Sequence, residues 1–550
     1  MTGTVLLQRL AGGDVTVTDL TDAAGAGGSA GPTTVPADRL ADLVRGREAT
    51  DPPRWVWDCT TRWYPSLLRD GVRVGRCWDL RLVHALLAGS PLVPRAAATD
   101  DGTASAWASL RPSAPVGATL FDDADDGTGL DAAAEWHRQQ AALATAPDGR
   151  LRLLCVAESS GALVATEMTA AGLPWRADVH DAALTRLLGP RPPVGQRPRV
   201  LEGLAARVRE SLDAPSLNPD SQPALLGALR AAGLDVADTR SSTLERLEHP
   251  VAPILLEYKA LARLLSTNGW HWLDTWVHDG RFRPEYLVAG VVTGRWSSRG
   301  GGALTVPAPV REAVVADDGW RLVVADAAQL EPRVLAGMSR DGAMAAAGRA
   351  GDLYEGMVAS GAVATRAEAK LGILGAMYGG TRGESGRMVE RLARRYPAAF
   401  GLVEAAARAG ERGEVVATLL GRGSPAPNGS WTAPAVEGVP RERTDERERR
   451  AWGRFTRNFV VQGTAAEWAL AWLALLRGRL DGLTGGTGRP ELVMFLHDEV
   501  LVHTPDDLAD ATAEAAGAAA DEATRLLFGD GTVDVPLDVR VVRSWAEAGH

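Results

Sequence analysis

The stretch ELVMFLHDEVLVHTP, residues 491–505, limits what this chain can become more than any other. Two apolar runs of strand length flank His497, Asp498 and Glu499, which predicts a hairpin with a charged tip. Taken alone, such a tip is ordinary turn chemistry. It gains meaning only if a second strand end delivers another carboxylate beside it.

The segment GWRLVVADAAQLEPRVLAGM, residues 319–338, is suited to that task. It reads as a strand ending at Asp326 and then a helix, with Pro332 acceptable only in the first turn. If the two strands neighbour each other in one sheet, Asp326 and Asp498 converge. Two such carboxylates can hold a pair of Mg²⁺ ions about 4 Å apart, clamping the attacking and leaving oxygens of a phosphoryl transfer.

A third segment, TRAEAKLGILGAMYGGTRG, repeats Arg366, Lys370, Leu374 and Tyr378 every four residues, which aligns them on one helix face. Cations followed by an apolar and an aromatic group suit a nucleoside triphosphate, phosphates first and base last. The plain alternative is a solvated amphipathic helix. Gly372 and Gly375 each cost such a helix about 1 kcal/mol, however, and a solvated face needs neither. Only Lys259 and Lys370 are lysines among 59 basic residues, so each stands out against an arginine-rich background.

At 550 residues and 45% hydrophobic, the chain can build two or three domains. Apolar runs such as WALAWLALL, residues 468–476, are shorter than the roughly 20 residues of a membrane span, and residues 1–20 lack a signal pattern. A cytoplasmic protein without membrane contact is expected. Cys59, Cys77 and Cys155 form no C-x-x-C pair, so buried free thiols are expected rather than disulfides or a zinc module. The net charge of −10 argues against a uniformly basic nucleic-acid coat but allows a local groove. Residues 441–458 hold seven arginines against four acids, and RGESGRMVERLARRYP supplies a second basic helix. Both read as faces of a phosphate groove, with a salt-bridged solvated helix as the alternative for the first.

Residues 1–150 read as a small α/β unit with loops at DAAGAGGSAGPTT and DDADDGTG. From 151 to 265 the pattern is helical, with a Pro/Arg-rich joint at GPRPPVGQRPRV. Short strand-like runs follow (YLVAGVVT, RLVVAD, ELVMFLH, VLVHTP), with a helical block from about 342 to 480 between them.

Taken in order, these segments resemble the family A DNA polymerases, the group of bacterial DNA polymerase I. DAAQLEPR is similar to the first palm motif, RAEAKLGILGAMYGG to the fingers helix and HDE to the second palm motif. TGRWSS, ILLEYKALARLLST and RFTRNFVVQGTAAE fall in the same order as further motifs of the family. The resemblance runs from about residue 155 to the end. It implies a multidomain α/β (α+β) fold shaped as a right hand: a thumb at about 190–267, a palm at about 268–340 and 450–550, and fingers at about 341–449. It implies template-directed synthesis from deoxynucleoside triphosphates on primer–template DNA, in replication or repair, by a monomer associated with the nucleoid. Asp326 and Asp498 would bind two Mg²⁺ ions, with Glu499 beside them. Arg366, Lys370, Leu374, Tyr378, Gln329 and Glu331 would meet the nucleotide, Glu331 closing the sugar pocket against a 2′-hydroxyl. Arg295, Arg454, Asn458, Gln462 and His497 would touch DNA.

The departures are Leu374 where the family carries an aromatic residue, Ala327 where it carries tyrosine and Pro332 where leucine is typical. They predict altered nucleotide discrimination or speed. By position, and by the likeness of CWDLRLVHALL, residues 1–150 resemble the family's RNase H-like 3′–5′ exonuclease domain. That chemistry begins with Asp-x-Glu on a strand, and none occurs before residue 150, where Glu48 and Glu135 are the only glutamates. A degenerate domain without nuclease activity is expected, with no 5′-nuclease segment before it. A reading from another class is a polymerase-shaped DNA-binding scaffold whose catalysis has lapsed. Intact Asp326, Asp498, Arg366 and Lys370 weigh against it. Zinc hydrolysis is a distant third, since the histidines form no H-E-x-x-H.

Overall fold

The computed structural model describes residues 3–10, 12–20, 31–94, 106–107, 110, 130–349, 351–380, 383–427 and 442–549. Most of DAAGAGGSAGPTT and all of DDADDGTG lie outside them. The chain forms two compact units. One comprises Met1–Ala171, Glu285–Ser297 and Val323–Val541, the other Gly172–Pro284, Ser298–Leu322 and Val542–His550.

The first unit opens with a five-stranded sheet in the order Thr33–Val35, Val15–Leu20, Thr4–Arg9, Arg54–Trp57, Arg76–Asp79. The first three strands pair antiparallel and the last two join in parallel. Alternation explains the strand Val15–Leu20: Val15 and Val17 are buried while Thr16 and Thr18 are less so. Val5, Leu7, Trp55, Trp57, Trp63 and Tyr64 fill one core with the helices Leu40–Thr50 and Thr60–Arg69. Strands and helices are mixed here, as the reading of residues 1–150 has it, within the same compact unit as the sheet that follows. Cys59, Cys77 and Cys155 are buried free thiols.

The second sheet of this unit runs Glu491–Leu496, Glu499–Pro505, Trp320–Ala327, Leu537–Val542. The centres of its middle strands, Leu322–Ala325 and Val500–Val502, are apolar and buried, as strands covered on both faces must be. The helix Glu442–Asp481 lies among the helices Arg150–Ala171, Pro397–Glu411 and Ala509–Phe528. Its Trp468 donates to Thr524 Oγ1 at 2.9 Å and its Trp472 to the Ala516 carbonyl at 3.1 Å. Within it, Glu446–Asp481 is long and apolar enough to cross a membrane by length and composition, contrary to the reading of the apolar runs, but 78% of its most apolar window is buried inside the protein. A core helix of a large domain has that character.

One strand expectation fails. Of the run YLVAGVVT only its start is extended, in the strand Glu285–Leu287. Ala289 then turns the chain at φ 52°, and Val291 and Val292 are 41% and 56% exposed. The helical block is also interrupted: after Pro397–Glu411 the chain forms a short extended hairpin bridged at Ala417 and Gly423.

The second unit carries the helices Ala177–Leu188 and Arg199–Ser211 on either side of the Pro/Arg joint, then Gln222–Ala231 and Val251–Asn268. Val208, Leu225, Leu229, Leu244, Val251 and Leu255 form its helical core. Lys259 donates to the carbonyl oxygen of Thr239, which assigns one of the two lysines to holding a loop. A cluster of Trp175, His180, Trp272 and Phe282 packs beside a three-stranded sheet, with ring centroids of Trp272 and Phe282 4.9 Å apart.

Candidate active site

The strand Trp320–Ala327 is buried from Leu322 to Ala325, half-buried at Asp326 and buried again at Ala327. After it, Gln329 takes a left-handed conformation (φ 57°) and the helix Leu330–Ser339 begins. Pro332 sits in the first turn, where its missing N–H has no intrahelical partner to lose, as expected. Arg333 is wholly buried. Its guanidinium donates to the carbonyls of Ala328, Gly348 and Asp534 at 3.0 Å each, and to that of Gly351. That fixes the turn behind Asp326. Sequence reasoning passed over Arg333, although an arginine followed by the apolar run VLAGM, with no acid three or four positions away on the helix, was a usable signal.

The hairpin is also as expected, with Leu496 opposite Glu499 and a two-residue turn of His497 and Asp498. His497 adopts φ 60°, a region that histidine visits more readily than most residues. The amide of Ala327 donates to the carbonyl of Asp498 at 2.9 Å. The end of one strand is thereby tied to the start of its neighbour, and Asp326 and Asp498 stand beside each other. Burial, and then repulsion from Asp326, push the Asp498 carboxyl up to about 6. A cation between the two would relieve that cost. Glu499 begins its strand 5% exposed. Among the described residues no cluster of three His, Cys, Asp or Glu side chains forms a metal site. The donor set is therefore two carboxylates, which fits Mg²⁺, an ion that commonly completes its shell with water and substrate phosphate.

The helix Arg366–Tyr378 is capped by Thr365, whose hydroxyl accepts from the Glu368 amide at 3.2 Å, and by Gly379 in the left-handed region (φ 81°). Ala369, Gly372, Ile373 and Ala376 face inward. Arg366, Lys370 and Tyr378 are exposed and Leu374 is half-buried, so the stripe read from the sequence is the outer face. The two glycines have a packing cause. A Cβ on Gly372 would lie 2.5 Å from Leu392 Cδ1, and one on Gly375 would lie 2.3 Å from Ser385 Oγ, because the helix Gly383–Arg395 presses against this one.

Arg366 donates through Nε and Nη2 to Asp352 Oδ2 at 3.0 and 2.8 Å, and its guanidinium lies 5.5 Å over the Tyr354 ring. Asp352 also caps the helix Leu353–Ala359. Neither Asp352 nor Tyr354 was singled out beforehand, although Asp before LYEGMV is a readable cap signal. No salt bridge engages Lys370 among the described residues.

A cavity of about 280 Å³ is lined by Arg295, Gln329, Glu331, Leu374, Tyr378, His497 and Asp498, with Trp296, Tyr354, Ala465, Ala466 and Phe495. Seven of the residues proposed from sequence thus share one chamber. Glu331 is held inside it by the Tyr378 hydroxyl at 3.2 Å and by a salt bridge from Arg295. Desolvation and then Arg295 hold the His497 imidazole below its usual value. Arg366, Lys370, Asp326 and Glu499 do not line the chamber. Arg454, Asn458 and Gln462 do not line it either, but they recur every four residues on the long helix, whose next turn supplies Ala466. The flank of Arg454 covers Gly379, and Asn458 Oδ1 is buried without a partner.

The basic stretch before them divides. Arg441 and the side chains through 445 lie outside the described ones. Arg450 pairs with Glu446, and Arg457 is buried, pairing with Glu404 and donating to the Ala376 carbonyl at 3.1 Å. Those two are engaged within the chain, whereas Arg454 is exposed and lies against Gly379 at the end of the helix Arg366–Tyr378.

A profile of DNA polymerase family A matches residues 230–547. The chain is 30% identical to a thermostable DNA polymerase I of Thermus filiformis over 345 residues, 56% of this chain and 38% of that protein. It is 28% identical to DNA polymerase I of Chloroflexus aurantiacus over 321 residues, 52% and 32% of the two. The match thus spans only about a third of the length of these relatives. The POL domain of Pol1 from M. smegmatis, solved in complex with DNA primer-template and dNTP, superposes with a TM-score of 0.69 at 18% identity, covering 100% of this chain and 96% of that one. With over half of its length matched to the profile, and its fold matched throughout, this chain belongs to DNA polymerase family A.

Proposed function

We propose that the chain is a template-directed DNA polymerase that extends a primer 3′ end with deoxynucleotides, serving replication or repair. The observation that carries this reading is the Ala327–Asp498 backbone bond, which sets two carboxylates side by side at the edge of a chamber walled by the fingers helix. Asp326 and Asp498 would hold two Mg²⁺ ions. When bound, such ions lower the cost of ionising the primer hydroxyl and neutralise charge on the triphosphate.

The remaining work falls to the chain's own groups. Lys370 presents an unpaired ammonium to the phosphates, and Arg366, anchored on Asp352 through two nitrogens, keeps Nη1 for a phosphate oxygen. Glu331, gripped from two sides, occupies the space a 2′-hydroxyl would need. Tyr378 and Leu374 offer the base an aromatic and an aliphatic wall. Arg454, Asn458 and Gln462 form a polar track for primer–template DNA along the long helix.

The N-terminal sheet fits a fold that has lost nuclease chemistry. Its central strand Thr4–Arg9 bears no acid. Asp79 accepts from the amides of Thr60 and Leu82, and Asp58 from Arg62, Trp63 and the Cys59 amide, so both are committed to structure.

The test is primer extension with Mg²⁺ by the wild-type chain and by Asp326→Ala and Asp498→Ala. Loss of at least about a thousandfold in each variant is expected. Equal extension by all three would remove the two-carboxylate assignment. Mg²⁺-dependent removal of a mismatched 3′ nucleotide would overturn the nuclease part of the reading.

A further inference from the structure

Arg295, which grips Glu331, is supported from both sides along the chain. Before it, the turn at 291–295 is closed by the Gly294 amide on the Val291 carbonyl at 2.8 Å and by the Val291 amide on the Arg295 carbonyl at 3.1 Å. Gly294 takes φ 88°, and a Cβ there would lie 2.5 Å from Arg422 Nε and 2.9 Å from Arg422 Cζ. The bare side of the turn therefore rests on the Arg422 guanidinium. After Arg295, the Trp296 ring stands edge-on to Phe495 with centroids 5.0 Å apart. A Cβ on Gly161 would lie 3.3 Å from Trp296 Cζ2, so that glycine makes room for the indole.

Both supports lead to one helix. Arg422 forms a salt bridge with Glu158 of the helix Arg150–Ala171, and Gly161 stands three residues on, along the same face. The same helix packs on the N-terminal sheet and on the helix Thr60–Arg69. The hairpin that carries Arg422 is fastened there too, since the Ser90 hydroxyl donates to the Gly421 carbonyl at 2.7 Å. Stability is a poor account of the ion pair. The Glu158 side chain is 1% exposed and that of Arg422 11%, and Glu158 Oε2 and Arg422 Nε are buried without a hydrogen-bond partner. Apolar side chains of the same volume would avoid that desolvation. What the pair supplies instead is a guanidinium at a fixed point behind Gly294.

We propose that Arg422, set by Glu158, is a positioning residue: it backs the turn at Gly294 so that Arg295 reaches Glu331. The part of the chain that resembles an exonuclease thereby takes part in choosing deoxynucleotides over ribonucleotides. Neither Arg422 nor Glu158 lines the chamber, so both act through Arg295. This rests on the polymerase reading above.

The test is single-nucleotide incorporation by the full chain, comparing kcat/KM for a deoxynucleotide and the matching ribonucleotide, with a melting curve for each variant. Arg422→Lys keeps a cation for Glu158 and removes the guanidinium behind Gly294. Glu158→Gln/Arg422→Met removes both charges together, so neither is left buried alone. Each should raise the relative use of the ribonucleotide by about 3–10-fold, less than loss of Glu331 itself. In an Arg295→Ala background the same substitutions should move the ratio by less than about twofold, because the group they position is gone. A merely structural role would lower the melting temperature and slow both nucleotides alike. A ratio that stays at the wild-type value in a folded variant, or a shift that persists in full without Arg295, would overturn the proposal. If the paired variant does not fold, Arg422→Lys decides alone. Failure of the wild type to incorporate a deoxynucleotide would remove the polymerase reading and this assignment with it, whereas normal incorporation with an unmoved ratio removes this assignment only.

Discussion

Tyr378 donates its hydroxyl to one carboxylate oxygen of Glu331 at 3.2 Å while the Arg295 guanidinium grips the other. The carboxylate is therefore held in place before any substrate arrives. Glu331→Ala should open the sugar side of the chamber and raise the relative kcat/KM for ribonucleotides over deoxynucleotides by about 10–100-fold. Tyr378→Phe leaves Glu331 on Arg295 alone and should shift the same ratio by less than about tenfold. An unchanged ratio in Glu331→Ala would show that the group does not border the sugar.

Arg333 is the structural counterpart of Asp326. It binds four backbone carbonyls from three segments without a carboxylate, and burial holds its guanidinium below the usual arginine range. Arg333→Met would keep much of the volume and leave those carbonyls buried without donors, at a cost of about 3–5 kcal/mol. Thermal unfolding should show a clear loss of stability. A melting curve identical to wild type would mean that water replaces the guanidinium fully.

Much of the site could be read from sequence because it is built from local patterns. A strand and helix meeting after Asp326, a two-residue hairpin at Asp498 and a four-residue stripe on the fingers helix each have a period or a turn signal. What could not be read depends on contacts between distant segments. Strand order alone makes Asp326 and Asp498 neighbours. Gly372 and Gly375 looked like a cost borne for the nucleotide, yet their immediate cause is Leu392 and Ser385 on the next helix. Arg333 and Asp352 were missed because their partners are backbone carbonyls in one case and an arginine fourteen positions on in the other. The run at 286–293 misled because valines suit strands, whereas the chain turns at Ala289.

Glu467 gives a pH dependence whose sign can be stated. Wholly buried on the long helix, it accepts from the Thr418 hydroxyl and from the Leu420 amide at 3.0 Å, while nearby Arg422 pairs with Glu158. Burial pushes its carboxyl up to about 7. The folded state therefore prefers the protonated acid, and the stability it contributes is fully present below the ordinary glutamate value and lost as pH rises through about 7. Glu467→Gln can accept from Leu420 and donate to Thr418 without ever ionising. It should match the wild type near pH 5 and be more stable at pH 8 by a few kcal/mol at most. A variant less stable than wild type at pH 8 would mean that the ionised carboxylate is held better than its burial implies.

Leu374 tests whether the departure from the family's aromatic position limits the proposed polymerase activity. It is half-buried on the wall of the 280 Å³ chamber, one turn before Tyr378 and one turn after Lys370. On the proposed nucleotide placement, phenylalanine at this position adds a flat face against the base and leaves Asp326, Asp498, Arg366 and Lys370 unaltered. An aromatic contact contributes about 0.5–1.5 kcal/mol beyond area burial, so Leu374→Phe should lower KM for deoxynucleotides by about 2–10-fold with kcat little changed. The chamber must also admit the ring. Tyr354 and Met377 line the same space, and a ring forced against them would raise KM instead. Single-nucleotide incorporation over a range of substrate concentrations separates the outcomes. A lower KM identifies the missing aromatic as a loss of ground-state stacking, whereas an unchanged KM with a changed rate places its effect after nucleotide binding.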